Sequence, residues 1–290
     1  AIDGRFHAAG MAWSAICVAV AWWGVRSTVV VEPAIRERPV SNANAPLERG
    51  RGPMRTLLRR DVRLLGSDGL LVALTVGLPV MFALVRLALA FGGEWLEVRG
   101  VDVASIAPIV PGFVVIHTAG IMGTVLGLAL LEDRDAGVLA AISVTPLRLP
   151  GVVLVRAALM GCATAFLVIV GALVVGLAPA AGMRVLPLVA VGSCFLAILH
   201  GVTLSTLASD RVRGVGLMKI LALPLYAPLA MWFLPFPAEI PLLLIPSAWP
   251  LSVWWARSPT VAMAWTLGGV ALSLSMTAML VRRMGRTMGV

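Results

Sequence analysis

Long apolar runs alternate with short charged stretches along the chain. No Asp, Glu, Lys or Arg occurs at 69–85, 103–131, 157–183, 185–209, 220–238 or 258–281, and Arg86 falls near the end of the first run's span. About 20 apolar helical residues cross a bilayer core. The pattern therefore predicts an all-α, polytopic membrane protein with six transmembrane helices near 69–91, 105–131, 152–178, 185–208, 216–235 and 259–281. Glycines and prolines inside these runs (Gly77, Pro79, Pro111, Gly112, Pro224, Pro228) are tolerated in membrane helices.

The flanks have patterns of their own. Over 54–66, "MRTLLRRDVRLLG", the period is helical. Met54, Leu57, Leu58, Val62, Leu64 and Leu65 fill one arc of about 160°, and Arg55, Arg59, Arg60 and Arg63 fill the other side. This predicts an amphipathic helix along the inner membrane surface; Asp61 interrupts the apolar arc without an evident reason. Gly66 can end that helix and Asp68 can cap the next. Over 236–258, "FPAEIPLLLIPSAWPLSVWWARS", prolines at 237, 241, 246 and 250 forbid one continuous helix. With Trp249, Trp254 and Trp255 suited to an interface, this stretch predicts a re-entrant hairpin in the outer leaflet rather than a seventh span.

Residues 1–53 form an extension distinct from the 54–290 transmembrane domain. Arg26 cuts short the apolar run at 11–25, and 32–53 reads as a Pro-, Arg- and Asn-rich linker. Residues 12–31 serve as an extra span with its N-terminus outside, or Met54 is the natural start and everything before it is upstream sequence or a fusion remnant.

Composition sharpens the class. The chain is 60% hydrophobic and 13% charged, whereas soluble domains run at about 45–50% and 25%. Net charge is +9, and 22 of the 23 basic residues are arginine. The arginines fall between apolar runs, so they indicate loops at an anionic membrane face and not nucleic-acid binding. Thirteen basic residues lie on one set of loops (55–63, 134–156, 211–219, 282–286) against four on the other (Arg86, Arg99, Arg184, Arg257). That bias places both ends of 54–290, and the 130–150 stretch, in the cytoplasm. The Arg-, Ala-, Gly- and Val-rich usage resembles a high-GC bacterial genome, hence a bacterial plasma membrane.

Candidate chemistry is sparse. Cys17, Cys162 and Cys194 have no CxxC spacing and read as small hydrophobes. The only lysine, in "GVGLMKI", does not make a phosphate-binding P-loop, and neither HExxH nor GxSxG occurs. His117 and His200 fall inside spans, where ionisable groups are functional candidates. They line a pathway or hold a haem or metal, or they are neutral histidines bonded between helices with Thr118 or Thr203.

The most distinctive stretch is "LLEDRDAGVLAAISVTPLRLP", 130–150. Glu132, Asp133, Arg134 and Asp135 arrive together; Gly137, Val138, Leu139 and Ile142 follow, then Thr145-Pro146. Asp133 or Asp135 can cap a helix running to about Ser143. Val138, Leu139 and Ile142 make an apolar face with a charged rim, suited to a partner's groove; a solvated connector needs no such stripe.

Here the chain resembles the ABC-2 type transporter permeases, which carry an acidic, glycine-containing segment after the second span, closed by Thr-Pro. Glu132, Gly137, Leu139, Thr145 and Pro146 match it. "LLRRDVRLLGSDGLLVALTVGLPVMFAL" and "IPSAWPLSVWW" resemble the family's amphipathic leading helix with first span and its re-entrant segment; the likeness covers 54–290. It implies one half of an exporter: two permease chains, identical or different, above two separate ABC ATPase subunits that bind the ATP and magnesium. This chain then binds no cofactor and is no enzyme. Residues 132–146 become the coupling helix, and the cargo is an amphiphilic or lipophilic drug, antibiotic or lipid. The drug-export branch, including permeases labelled for fluoroquinolone export, is the nearest in character. The alternative is an intramembrane haem- or metal-handling protein using His117 and His200.

Overall fold

The computed structural model describes residues 66, 68–100, 102–138, 149–235 and 237–287. The amphipathic stretch with Arg55, Arg59, Arg60 and Arg63 lies outside the described residues, as does the 1–53 extension. Among those described, every regular element is a helix. In chain order they are α1 (Gly69–Glu97), α2 (Val103–Ile106), α3 (Ile109–Asp135), α4 (Leu149–Val175), α5 (Leu186–Leu207), α6 (Arg211–Tyr226), α7 (Ala248–Trp255) and α8 (Pro259–Thr287). Six are long and apolar enough to cross a membrane, at Gly69–Gly93, Ile109–Asp135, Val153–Val175, Met183–Leu207, Arg211–Trp232 and Pro259–Arg283.

The helix ends follow local chemistry. Asp68 caps α1, its Oδ1 accepting from the Leu70 amide at 2.8 Å. Asp210 caps α6 in the same way, accepting from the Arg213 amide at 2.8 Å, so the fifth span starts at 211 and not at the expected 216. Beyond α6 the helix tightens into 3₁₀ turns at Ala227–Trp232, where Pro228 enters, and at Ile240–Leu244. The proline-rich stretch is thus two short helices in place of a long one. Its tryptophans are used for packing: Trp254 is buried, and Trp249 and Trp255 donate to the Leu243 and Pro108 carbonyls, each at 3.0 Å.

The bundle is built around α3. In its most apolar window 83% of residues are buried, against 22% in the first and fifth spans and 17% in the last. A helix apolar on all sides belongs in the middle. Its hydroxyls do not disturb that interior, because Thr118 and Thr124 donate to carbonyls one turn back, Val114 at 2.7 Å and Gly120 at 2.8 Å.

Helices α3 and α5 approach at backbone contact. A Cβ on Gly123 would lie 2.5 Å from the Ala197 carbonyl oxygen, and one on Gly201 would lie 2.6 Å from that of Gly123. Dispersion at such close crossings drives association where lipid removes the hydrophobic incentive. Gly123→Ala is therefore expected to push the helices apart and cost about 1–3 kcal/mol. Gly77→Ala, with nothing within 4 Å of the added carbon, is the matched control. Thermal unfolding of both variants in detergent checks this; equal midpoints would contradict the packing account.

At the far end of α4, Arg86 of α1 donates to the Val175 carbonyl at 3.1 Å. The sequence placed this arginine near a span end; α1 continues to Glu97, and the guanidinium sits at the C-terminus of α4, where the helix dipole favours a cation.

Candidate functional site

Two polar assemblies interrupt the apolar bundle. The first is at the end of α3. That helix runs on through Glu132, Asp133, Arg134 and Asp135 and stops where Gly137 takes φ +69°, a left-handed conformation suited to glycine. The four charges thus form the last turn of a spanning helix. Asp133 is buried and pairs with Arg156, itself buried in α4. Glu132 accepts from Arg211 Nη1 at 2.9 Å, and the same guanidinium pairs with Asp68 below α1. Arg134 donates to the Ser205 carbonyl at 3.2 Å and to that of Ala208, covering the C-terminal carbonyls of α5. Asp135 accepts from the Arg211 amide at 2.9 Å, in the first turn of α6. One helical turn therefore ties together the ends of α1, α3, α4, α5 and α6.

The sequence reading used these carboxylates differently, as caps and rim of a separate helix continuing to Ser143. Asp133 instead neutralises a buried arginine, and Asp135 helps to cap α6. Val138 is half-buried and begins the segment after the turn; Leu139, Ile142, Thr145 and Pro146 lie outside the described residues. Nearby Asp210 is held below the ordinary carboxylate range, first by the Arg213 amide and then by the Ser209 hydroxyl.

The second assembly lies within the bundle. His117 Nδ1 meets the Tyr226 hydroxyl at 2.5 Å, across α3 and α6. Phe113 stacks on both rings, with centroids 5.2 Å from His117 and 5.7 Å from Tyr226. Two turns further along α3, His200 Nε2 lies 3.4 Å from the Thr124 hydroxyl. That hydroxyl spends its only proton on the Gly120 carbonyl, so the histidine nitrogen is the donor in this contact. The partners are therefore Tyr226 and Thr124; Thr118 and Thr203 donate within their own helices.

Tyr226, Thr124 and His200 border a pocket of about 180 Å³ that Lys219 of α6 also lines. Lys219 and Tyr226 are seven residues apart and so share a helix face. The two histidines engage different partners about 10 Å apart along α3. Among the described residues there is no group of three His, Cys, Asp or Glu able to hold a metal.

Tyr226 carried no weight in the sequence pattern, and Arg156 and Lys219 were counted there with the loops. Both basic residues lie inside helices. Their signal was the interruption each makes in an apolar helical period.

A six-span helical bundle with an ionic knot at one end and a mainly apolar pocket edged by Thr124, His200, Lys219 and Tyr226 defines a multi-pass membrane protein. A family model described as fluoroquinolones export permease protein Rv2686c-like matches residues 61–281, and the chain belongs to that family of ABC-2 type permeases. Membership makes it a transport subunit rather than an enzyme. No curated protein and no solved structure gives a significant match.

Proposed function

We propose that the chain is the membrane subunit of an ATP-binding cassette exporter in a bacterial plasma membrane. It moves an amphiphilic or lipophilic drug-like cargo outward with ATP hydrolysed by separate subunits. Family membership supports the export reading, and the excess of basic residues on one set of loops supports a cytoplasmic location for residue 54, residues 132–148 and the C-terminus.

The observation that carries the mechanism is the ionic tie. The segment carrying Val138, Leu139 and Ile142 leaves α3 directly after a turn bonded to α4, α5 and α6, and through Arg211 to the cap of α1. A push on that segment by an ATPase docked against its apolar stripe is delivered to the whole bundle at once. Two permease chains, the same or different, enclose the pathway, while ATP and magnesium are held by the ATPase. The 236–258 stretch dips into the outer leaflet as a re-entrant hairpin.

The haem or metal reading has no comparable support, since each histidine is engaged by a hydroxyl of a neighbouring helix. Inside-out vesicles holding the chain and an ABC ATPase from the same operon provide the test. ATP-dependent accumulation of a fluoroquinolone, absent when either subunit is omitted, is expected. Accumulation that ignores the ATPase would overturn the proposal.

A further inference from the structure

We propose that the pocket bordered by Lys219, His200, Thr124 and Tyr226 takes the carboxylate-bearing aromatic end of the cargo, with the Lys219 ammonium as its counter-ion. The inference rests on the export reading and adds a site to it.

Depth is the first argument. Lys219 lies eight residues into α6 from Arg211, about 12 Å along the axis. An ammonium at that depth is costly unless it is paired or snorkels to the surface. Among the described residues no carboxylate lies within ion-pair distance of it; the acids of this region are taken up by Arg156, Arg211 and Arg213. The sole lysine of an arginine-rich chain thus lies exposed on α6 at the edge of this pocket, with no counter-charge among the described residues.

Size is the second. An apolar cavity of about 150 Å³ accepts benzene, whereas sites that enclose a drug run from about 300 Å³ upward. At about 180 Å³ the pocket has room for one ring and its carboxylate, not for a whole drug. The rest of the molecule then lies along the exposed face of α6, where Ile220 and Leu223 are 63% and 74% accessible.

Rigidity is the third. Tyr226 is fixed by its hydroxyl contact with His117 and by the ring stack with Phe113. Leu74, Ile121 and Leu225 supply an apolar wall. A planar ring with one anionic edge fits a pocket that has the Tyr226 ring and the Lys219 ammonium two turns apart on one face of α6. A phospholipid phosphate offers the same charge without the ring.

The test uses the full chain in lipid nanodiscs and the intrinsic fluorescence of norfloxacin, a fluoroquinolone, compared with its carboxylate methyl ester. Wild type is expected to bind the acid about tenfold more tightly than the ester, the scale of one charge-assisted contact. Lys219→Met should abolish that preference by weakening the acid alone, and Lys219→Arg should restore most of it. Equal affinities for acid and ester in wild type, or an unchanged preference in Lys219→Met, would overturn the site. So would acid binding that disappears as anionic phosphatidylglycerol replaces phosphatidylcholine, because the occupant would then be a lipid headgroup. Each variant is also assayed for ATP-driven vesicle uptake. Wild-type uptake that Lys219→Met leaves intact sinks this site but not the export function; no uptake by wild type sinks the export function itself.

Discussion

Asp133→Ala is expected to destabilise the bundle by about 3–5 kcal/mol, because it removes the carboxylate paired with a buried arginine. Asp133 and Arg156 are 1% and 4% accessible, so water cannot replace the lost partner. The pair is not thereby a net source of stability, since burying two ions carries a desolvation cost of the same order as their attraction. The double variant Asp133→Leu with Arg156→Met should therefore recover much of the loss. It should nonetheless export poorly if the tie between α3 and α4 transmits motion. Thermal unfolding in detergent, with ATP-driven uptake measured in parallel, separates the two effects. An Asp133→Ala protein as stable as wild type would contradict the buried-pair account. Asp210→Ala, at an exposed cap, should change much less.

The span positions were legible because one quantity, the cost of charge in hydrocarbon, governs them. All six predicted spans coincide with spanning helices to within a few residues. The largest offset, at the start of α6, arose because Asp210 and Asp135 satisfy its first amides. Charge-free windows cannot register a helix whose first turn is deliberately charged. The partnerships were not legible. Asp133 is 23 residues from Arg156, and Glu132 is 79 from Arg211; which of several arginines meets which carboxylate is decided by helix packing. The pocket was half visible: His117 and His200 stood out as ionisable groups in apolar runs, while Tyr226 and Thr124 became meaningful only once α6 was set against α3. The close approach of α3 and α5 was hidden for a similar reason, since glycines are common in membrane helices and only the facing backbone distinguishes Gly123 from Gly77.

Converting Val138, Leu139 and Ile142 to Asp is expected to abolish coupled export while leaving the bundle assembled. The stripe lies beyond the glycine turn that ends α3, so the ionic tie keeps its partners. Three carboxylates on an apolar docking face would have to be desolvated without partners, at a cost of several kcal/mol in total. That is enough to lower occupancy of a micromolar-affinity ATPase site by orders of magnitude. Val98, Val103 and Ile106, just past α1 and in α2, take the same substitutions as a control at the opposite end of the bundle from the stripe. The deciding measurement is co-purification of the ATPase with the Val138/Leu139/Ile142 variant, read beside its ATP-driven uptake of norfloxacin into inside-out vesicles. A folded variant that has lost both the ATPase and uptake, with the control retaining both, is the predicted result. A variant that keeps its ATPase and exports at the wild-type rate would contradict the claim that this segment couples ATP hydrolysis to the membrane helices.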